Sequence, residues 1–133
     1  MWRGALGMRG KVIVVEDDSA FSYALGKTLE QAGYEVEIHA DPTAAWTAVG
    51  AAAHFDLLLT DLMFPQGQPS GIALARSARY HHPGLAIIYM TAYPDAAEQA
   101  EMEDGIVLKK PIDLNTLIQR VGEMVVADQS RKT

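Results

Sequence analysis

VIVVEDDSAF, residues 12–21, runs four apolar residues straight into Glu16, Asp17 and Asp18. A short apolar run without alternation is the pattern of a strand buried on both faces, as in a parallel sheet. The three carboxylates that follow repel one another and have no place in a core. They mark the carboxyl end of that strand as a position where negative charge is wanted.

The same pattern recurs along the chain. KVIVVE (11–16), LLLT (57–60), LAIIYM (85–90) and IVL (106–108) are short, nearly continuous apolar runs, whereas YEVEIH (34–39) alternates and suits a strand nearer a sheet edge. Helical patterns lie between them. Residues 19–32 set Phe21, Leu25, Leu29 and Ala32 on one face, with Ser19 as cap and Gly33 just past the end. Asp41-Pro42 opens a second helix carrying Ala45, Trp46 and Val49, with Trp46 read as a partly buried packing residue. A third follows Gly71, with Ile72, Ala75 and Ala78 inward. PDAAEQAEME (94–103) is a short fourth. The last, from Asp113, shows a stripe of Leu114, Leu117, Ile118, Val121, Met124 and Val125. Strand and helix alternating five times predicts an α/β fold, a doubly wound five-stranded parallel sheet with right-handed crossovers and helices on both faces.

The 133 residues suffice for one domain with a real core, and 49% apolar against 21% charged residues describe a globular chain. Residues 1–10 read as a loose leader, 11–127 as the domain and 128–133 as a short tail, with no output domain. A net charge of −6 argues against a nucleic-acid surface. Zero cysteines exclude a disulfide framework and thiol chemistry and fit a reducing compartment. No apolar run approaches the roughly 20 residues of a membrane helix, and the first ten residues lack a signal peptide's apolar stretch. A cytoplasmic location is expected.

In such a sheet, ligands bind outside the carboxyl ends of the strands, so polar residues there converge. They are Glu16, Asp17 and Asp18 after the first strand, Asp61 after the third, Thr91 after the fourth, and Lys109-Lys110 after the fifth. Clustered carboxylates suit a hard divalent cation such as Mg²⁺. A lysine and a threonine hydroxyl supply the donors a phosphoryl group needs, and an aspartate can act as nucleophile to form an aspartyl phosphate. The chemistry deduced is metal-dependent phosphoryl transfer to a carboxylate. Asp18 reads instead as a helix-start residue. Lys109 and Lys110 point oppositely, so Lys109 is read as an exposed flank. His39, His54, His81 and His82 fall at strand ends or in loops, and His81-His82-Pro83 reads as a surface turn.

VIVVEDD, LLLTDLMFP, IIYMTAY and VLKKPID resemble, in this order, the four signature segments of CheY-like receiver domains of bacterial two-component response regulators. The resemblance covers residues 11–127 and implies a flavodoxin-like sheet with strand order 2-1-3-4-5. It implies that Asp61 is the phosphoacceptor, served by Thr91 as the switch hydroxyl and Lys110 as the phosphate-pairing lysine. Mg²⁺ or Mn²⁺ would be held by Asp17, Asp61 and the backbone carbonyl of Met63, with Glu16 assisting through water. Lys110-Pro111 would be cis. The implied partners are a sensor histidine kinase or a histidine phosphotransfer protein as donor, and a downstream protein. The implied activity is self-phosphorylation and self-dephosphorylation without turnover of a free substrate.

The chain departs from the family pattern at three places. Val107 stands where receivers carry an aromatic residue, so the usual ring movement coupled to the threonine has no ring to move. The loop MFPQGQPSG (63–71) is longer than the common form, and the stretch from Thr91 to Lys110 is shorter. Tyr93 brings bulk to the site's edge, where it would shield an acyl phosphate from water. These departures favour a rival reading, a receiver fold that signals by docking alone. A flavin-binding protein of the same topology would want Ser, Thr and Gly after the first strand, where this chain has acids, and no Gly-rich nucleotide fingerprint follows a strand.

Overall fold

The computed structural model describes residues 9–93, 95 and 105–132, with side chains described as far as residue 126. In chain order the elements are β1 Lys11–Val15, α1 Ser19–Gln31, β2 Glu35–His39, α2 Pro42–Ala51, β3 Leu57–Asp61, α3 Gly71–His81, β4 Ala86–Thr91, β5 Ile106–Lys109 and α4 Leu114–Lys132. The strands form one parallel sheet in the order β2-β1-β3-β4-β5. Its fold is the expected one. The segment expected as a fourth helix, residues 94–103, lies outside the described residues except for residue 95.

Strand alternation divides the interior into two cores. Ile13, Val15, Leu58, Ile87 and Tyr89 face α2 and α3, meeting Ala45, Val49, Leu74, Ala75 and Ala78. Val12, Val14, Leu57, Leu59, Ile88 and Met90 face α1 and α4, meeting Leu25, Leu29, Leu117, Val121 and Val125. Each central strand is therefore apolar on both sides, which is why β1, β3 and β4 read as unbroken apolar runs.

Four local readings change. The cap of α1 is Asp18, whose Oδ1 accepts from Phe21 N at 3.0 Å; Ser19 is the first helical residue. Trp46 is 40% exposed rather than packed, because Ala45 and Val49 already fill the inward face of α2. β5 is an edge strand and only partly buried, despite its apolar sequence. His82 is more than a turn residue, since its Nε2 lies 3.0 Å from the Val49 carbonyl and its ring packs edge-on against Phe55. Helix α4 runs from Leu114 to Lys132. No helix among the described residues is long and apolar enough to cross a membrane.

The start of α3 is built against the end of β3. Gly71 N donates to the Leu62 carbonyl at 2.8 Å, and a Cβ at position 71 would lie 2.1 Å from the Asp61 carbonyl oxygen. Only glycine permits this approach of helix to strand end. Backbone, not a flexible side chain, would have to yield. Gly71→Ala should therefore lower stability by about 1–3 kcal/mol through overpacking, with amide chemical shifts changing most around Asp61 and Leu62. Urea unfolding with unchanged stability would contradict this.

Candidate functional site

Asp61 and Thr91 are the last residues of β3 and β4, and Glu16 is the first residue past β1. The parallel register brings these ends to one rim. The Glu16 N–H donates to the His39 carbonyl, and the Lys110 N–H donates to the Thr91 carbonyl at 2.7 Å, so the ladder carries both side chains to fixed places. Lys110 precedes a cis bond to Pro111.

Carboxylate oxygens of Glu16, Asp17 and Asp61 lie within 4.8 Å of one another. Glu16 is fully buried, Asp61 is 5% exposed and Asp17 faces solvent. Lys110 Nζ sits 2.8 Å from Glu16 Oε1 and 2.8 Å from Asp61 Oδ1. Its contact with Glu16 is an aligned hydrogen bond, whereas Asp61 Oδ1 is buried with no aligned donor. Glu16 Oε2 accepts from Asp18 N at 3.1 Å, which uses its second oxygen. Two buried acids thus share one ammonium with Asp17 beside them at the solvent edge, and a buried oxygen at Asp61 remains short of a donor.

A divalent cation fits this arrangement. Oxygen ligands from a buried and an exposed carboxylate, with room left toward solvent, are the donor set that suits Mg²⁺ or Mn²⁺. Met63 lies two residues beyond Asp61 with its side chain 57% exposed, so a thioether contribution to the acids is not built into the site. The Thr91 hydroxyl accepts from Tyr93 N at 2.9 Å and is 5% exposed as a residue. Lys109 is exposed, as its opposite orientation requires.

Burial, reinforced by the contact with Glu16 and opposed by Lys110, holds the Asp61 carboxyl up to about 8 from its ordinary 3.8. Burial works against ionisation of Glu16 too, but bonds from Asp61, Lys110 and the Asp18 N–H outweigh it and lower its pKa. Burial likewise opposes the charge on Lys110, and the two carboxylates overcome it, raising its pKa. The two carboxyl groups thus titrate together and share one proton near neutrality.

Two features of the site were not visible in the sequence pattern. The Phe21 ring centroid lies 5.3 Å from Lys110 Nζ, although its spacing on α1 marks it only as a core-face residue. Beside Val107, where an aromatic ring was expected, a ring stands on the neighbouring strand. Val107 pairs across with the fully buried Tyr89, whose ring lies where a Cβ at Gly105 would come within 2.3 Å. The signal was available in the aromatic of IIYM and the glycine before IVL, but only the register connects them. A cavity of about 540 Å³ at the amino ends of β1 and β3, lined by Arg9, Lys11, His54 and Asp56, stands apart from these acids.

A carboxyl group held above its unfolded pKa favours folding at low pH and loses that contribution as pH rises from 3.8 to about 8. Asp61→Asn should therefore gain in melting temperature over the parent, with the difference widening from pH 5 to pH 8. The gain expected at pH 8 is roughly 1–3 kcal/mol, since Lys110 loses an ion-pair partner as the repulsion is relieved. A difference independent of pH would contradict the shared-proton picture.

The sequence profile of the response regulator receiver domain matches residues 12–122. The transcriptional regulator NtrC of Bradyrhizobium sp. is 30% identical over 92% of this chain and 25% of its own length. The response regulator protein FleR of Pseudomonas aeruginosa is 35% identical over 86% of this chain and 24% of its own. The chain spans about a quarter of the length of these relatives. Among solved structures, a response regulator receiver protein from Sinorhizobium medicae superposes with a TM-score of 0.82 at 26% identity, covering 89% of this chain and 95% of that one. A CheY-like receiver domain from Methanospirillum hungatei superposes at 0.81 with 25% identity, covering 91% and 97%. With the fold, the rim of acids and the family match in agreement, the chain belongs to the receiver domains of response regulators.

Proposed function

We propose that this receiver accepts a phosphoryl group on Asp61 from a phosphohistidine-bearing partner, a histidine kinase or phosphotransfer protein. The observation that carries this reading is the buried Asp61 carboxyl with Lys110 Nζ 2.8 Å away and the oxygens of Glu16 and Asp17 within 4.8 Å. An Asp61 oxygen would form the new bond to phosphorus, its carboxyl giving up any proton it holds, as the bond from phosphorus to the imidazole nitrogen breaks, and the imidazole would leave with the electron pair and take up a proton. Mg²⁺ or Mn²⁺, held by Asp17 and Asp61 with Glu16 and the Met63 carbonyl assisting, would offset charge on the phosphoryl group.

The chain's own residues divide the remaining work. Lys110 would donate to one phosphoryl oxygen, and Glu16, ionised and buried beneath it, would keep the ammonium in place. The Thr91 hydroxyl, which donates to the Tyr93 carbonyl at 3.4 Å, would turn its O–H to another phosphoryl oxygen instead. Phosphorylation would then alter the loop carrying Tyr93, whose side chain is 65% exposed at this edge. The domain modifies itself and signals by a phosphorylation-dependent protein contact in the cytoplasm, turning over no free substrate. NtrC is a DNA-binding regulator as a whole protein; the segment matched here is a quarter of it, and the acidic balance of this chain supports a protein partner.

A docking module without phosphorylation is the second reading, favoured by Val107. Acetyl phosphate with Mg²⁺ separates the two. The proposal expects a mass increase of one phosphoryl group, abolished by chelation and by Asp61→Asn, and slowed about a hundredfold in Lys110→Ala. No modification of the parent protein would favour docking. Tyr93→Ala should lose the phosphoryl group severalfold faster than the parent, because water then reaches the acyl phosphate more freely. An unchanged rate would remove Tyr93 from the account.

A further inference from the structure

We propose that Phe21 is a positioning residue for Lys110, its ring holding the ammonium in place without using any of its N–H donors. The proposal rests on the phosphoacceptor reading of Asp61 and adds a residue to which neither the motif pattern nor the family match gives a role.

Lysine is a poor fixed donor by itself, because its four-carbon stem has many rotamers. In this site the ammonium is anchored from beneath by buried Glu16 and Asp61, while the Lys110 side chain is 28% exposed on its outer side. The Phe21 ring stands 5.3 Å from Nζ, inside the roughly 6 Å over which an aromatic face attracts a cation. The ring comes from the first turn of α1, where Phe21 N donates to Asp18 Oδ1 and Asp18 N donates to Glu16 Oε2. One stretch of six residues, Glu16 to Phe21, therefore sets the carboxylate beneath the ammonium and the ring beside it.

The chemistry of the contact gives it a purpose. An ammonium has three N–H donors. One donates to Glu16 and a second lies near Asp61 Oδ1, leaving the third for a phosphoryl oxygen. A carboxylate or carbonyl in the position of Phe21 would consume that third donor and add competing charge. An aromatic face attracts the charge by its quadrupole and accepts no directed bond in exchange. Leucine would fill a similar volume but lack that attraction. Phe21 also packs against the core that α1 shares with α4, so the bland alternative is a packing residue alone.

Phe21→Leu and Phe21→Tyr separate these roles. In the parent, two-dimensional NMR should find the Lys110 Hε protons shifted upfield by the ring current, identified by their loss in Lys110→Arg. Phe21→Leu should return them to the position of an exposed lysine, and Phe21→Tyr should keep the shift. With acetyl phosphate and saturating Mg²⁺, Phe21→Leu should slow modification of Asp61 by about three- to tenfold, and Phe21→Tyr should restore it. Lys110 resonances unmoved by Phe21→Leu would overturn the proposal. So would moved resonances with an unchanged rate, which make the ring a packing residue only. If the parent is not modified at all, the phosphoacceptor reading fails and takes the positioning role with it, while the NMR arm still reports whether the ring contacts the ammonium.

Discussion

The ammonium of Lys110 between Glu16 and Asp61 is the interaction on which the arrangement of this receiver depends. Two carboxylates buried side by side repel, and burial alone would keep both protonated. One cation placed 2.8 Å from each favours ionisation, so that the two carboxyl groups need share only one proton. The backbone is organised around that placement. β5 delivers Lys110 through the bond from its N–H to Thr91, β1 delivers Glu16, and the glycine at the start of α3 lets the helix close against the Asp61 carbonyl.

Much of this was legible because the sheet imposes its geometry on the sequence. A central strand in a parallel sheet is apolar on both faces, so VIVV, LLL and AII announce strands. Whatever polar residue ends such a run must reach the rim. Glu16, Asp61 and Thr91 follow from that rule alone. Readings that depend on the third dimension were harder. Asp18 and Ser19 are equally good cap types, and only the path of the chain out of β1 decides that Asp18 reaches Phe21 N. IVL reads like a central strand, yet β5 has a single strand neighbour and is half open. The 5.3 Å approach of Phe21 to Lys110 joins residues far apart in sequence, and helical spacing showed only its core-facing side.

The substitution at Val107 acquires a physical meaning from the register. Strand β5 carries valine where an aromatic was expected, and the buried Tyr89 of β4 stands directly across from it, over a glycine that makes room for its ring. An aromatic ring is thus present in that core, one strand inward of Val107. A fully buried ring between two strands has less freedom than one at an edge, so the response to phosphorylation in this chain would pass through the Thr91–Tyr93 loop rather than through a ring on β5.

The most direct test of the central claim, that Asp61 with Lys110 is built to receive a phosphoryl group, is a fluorine NMR titration with beryllofluoride and Mg²⁺, a mimic that needs no transfer step. The account predicts saturable one-to-one binding to the parent, with bound-fluoride signals lost in Asp61→Asn and weakened in Lys110→Ala. Absence of bound signals with the parent protein at saturating Mg²⁺ would contradict it.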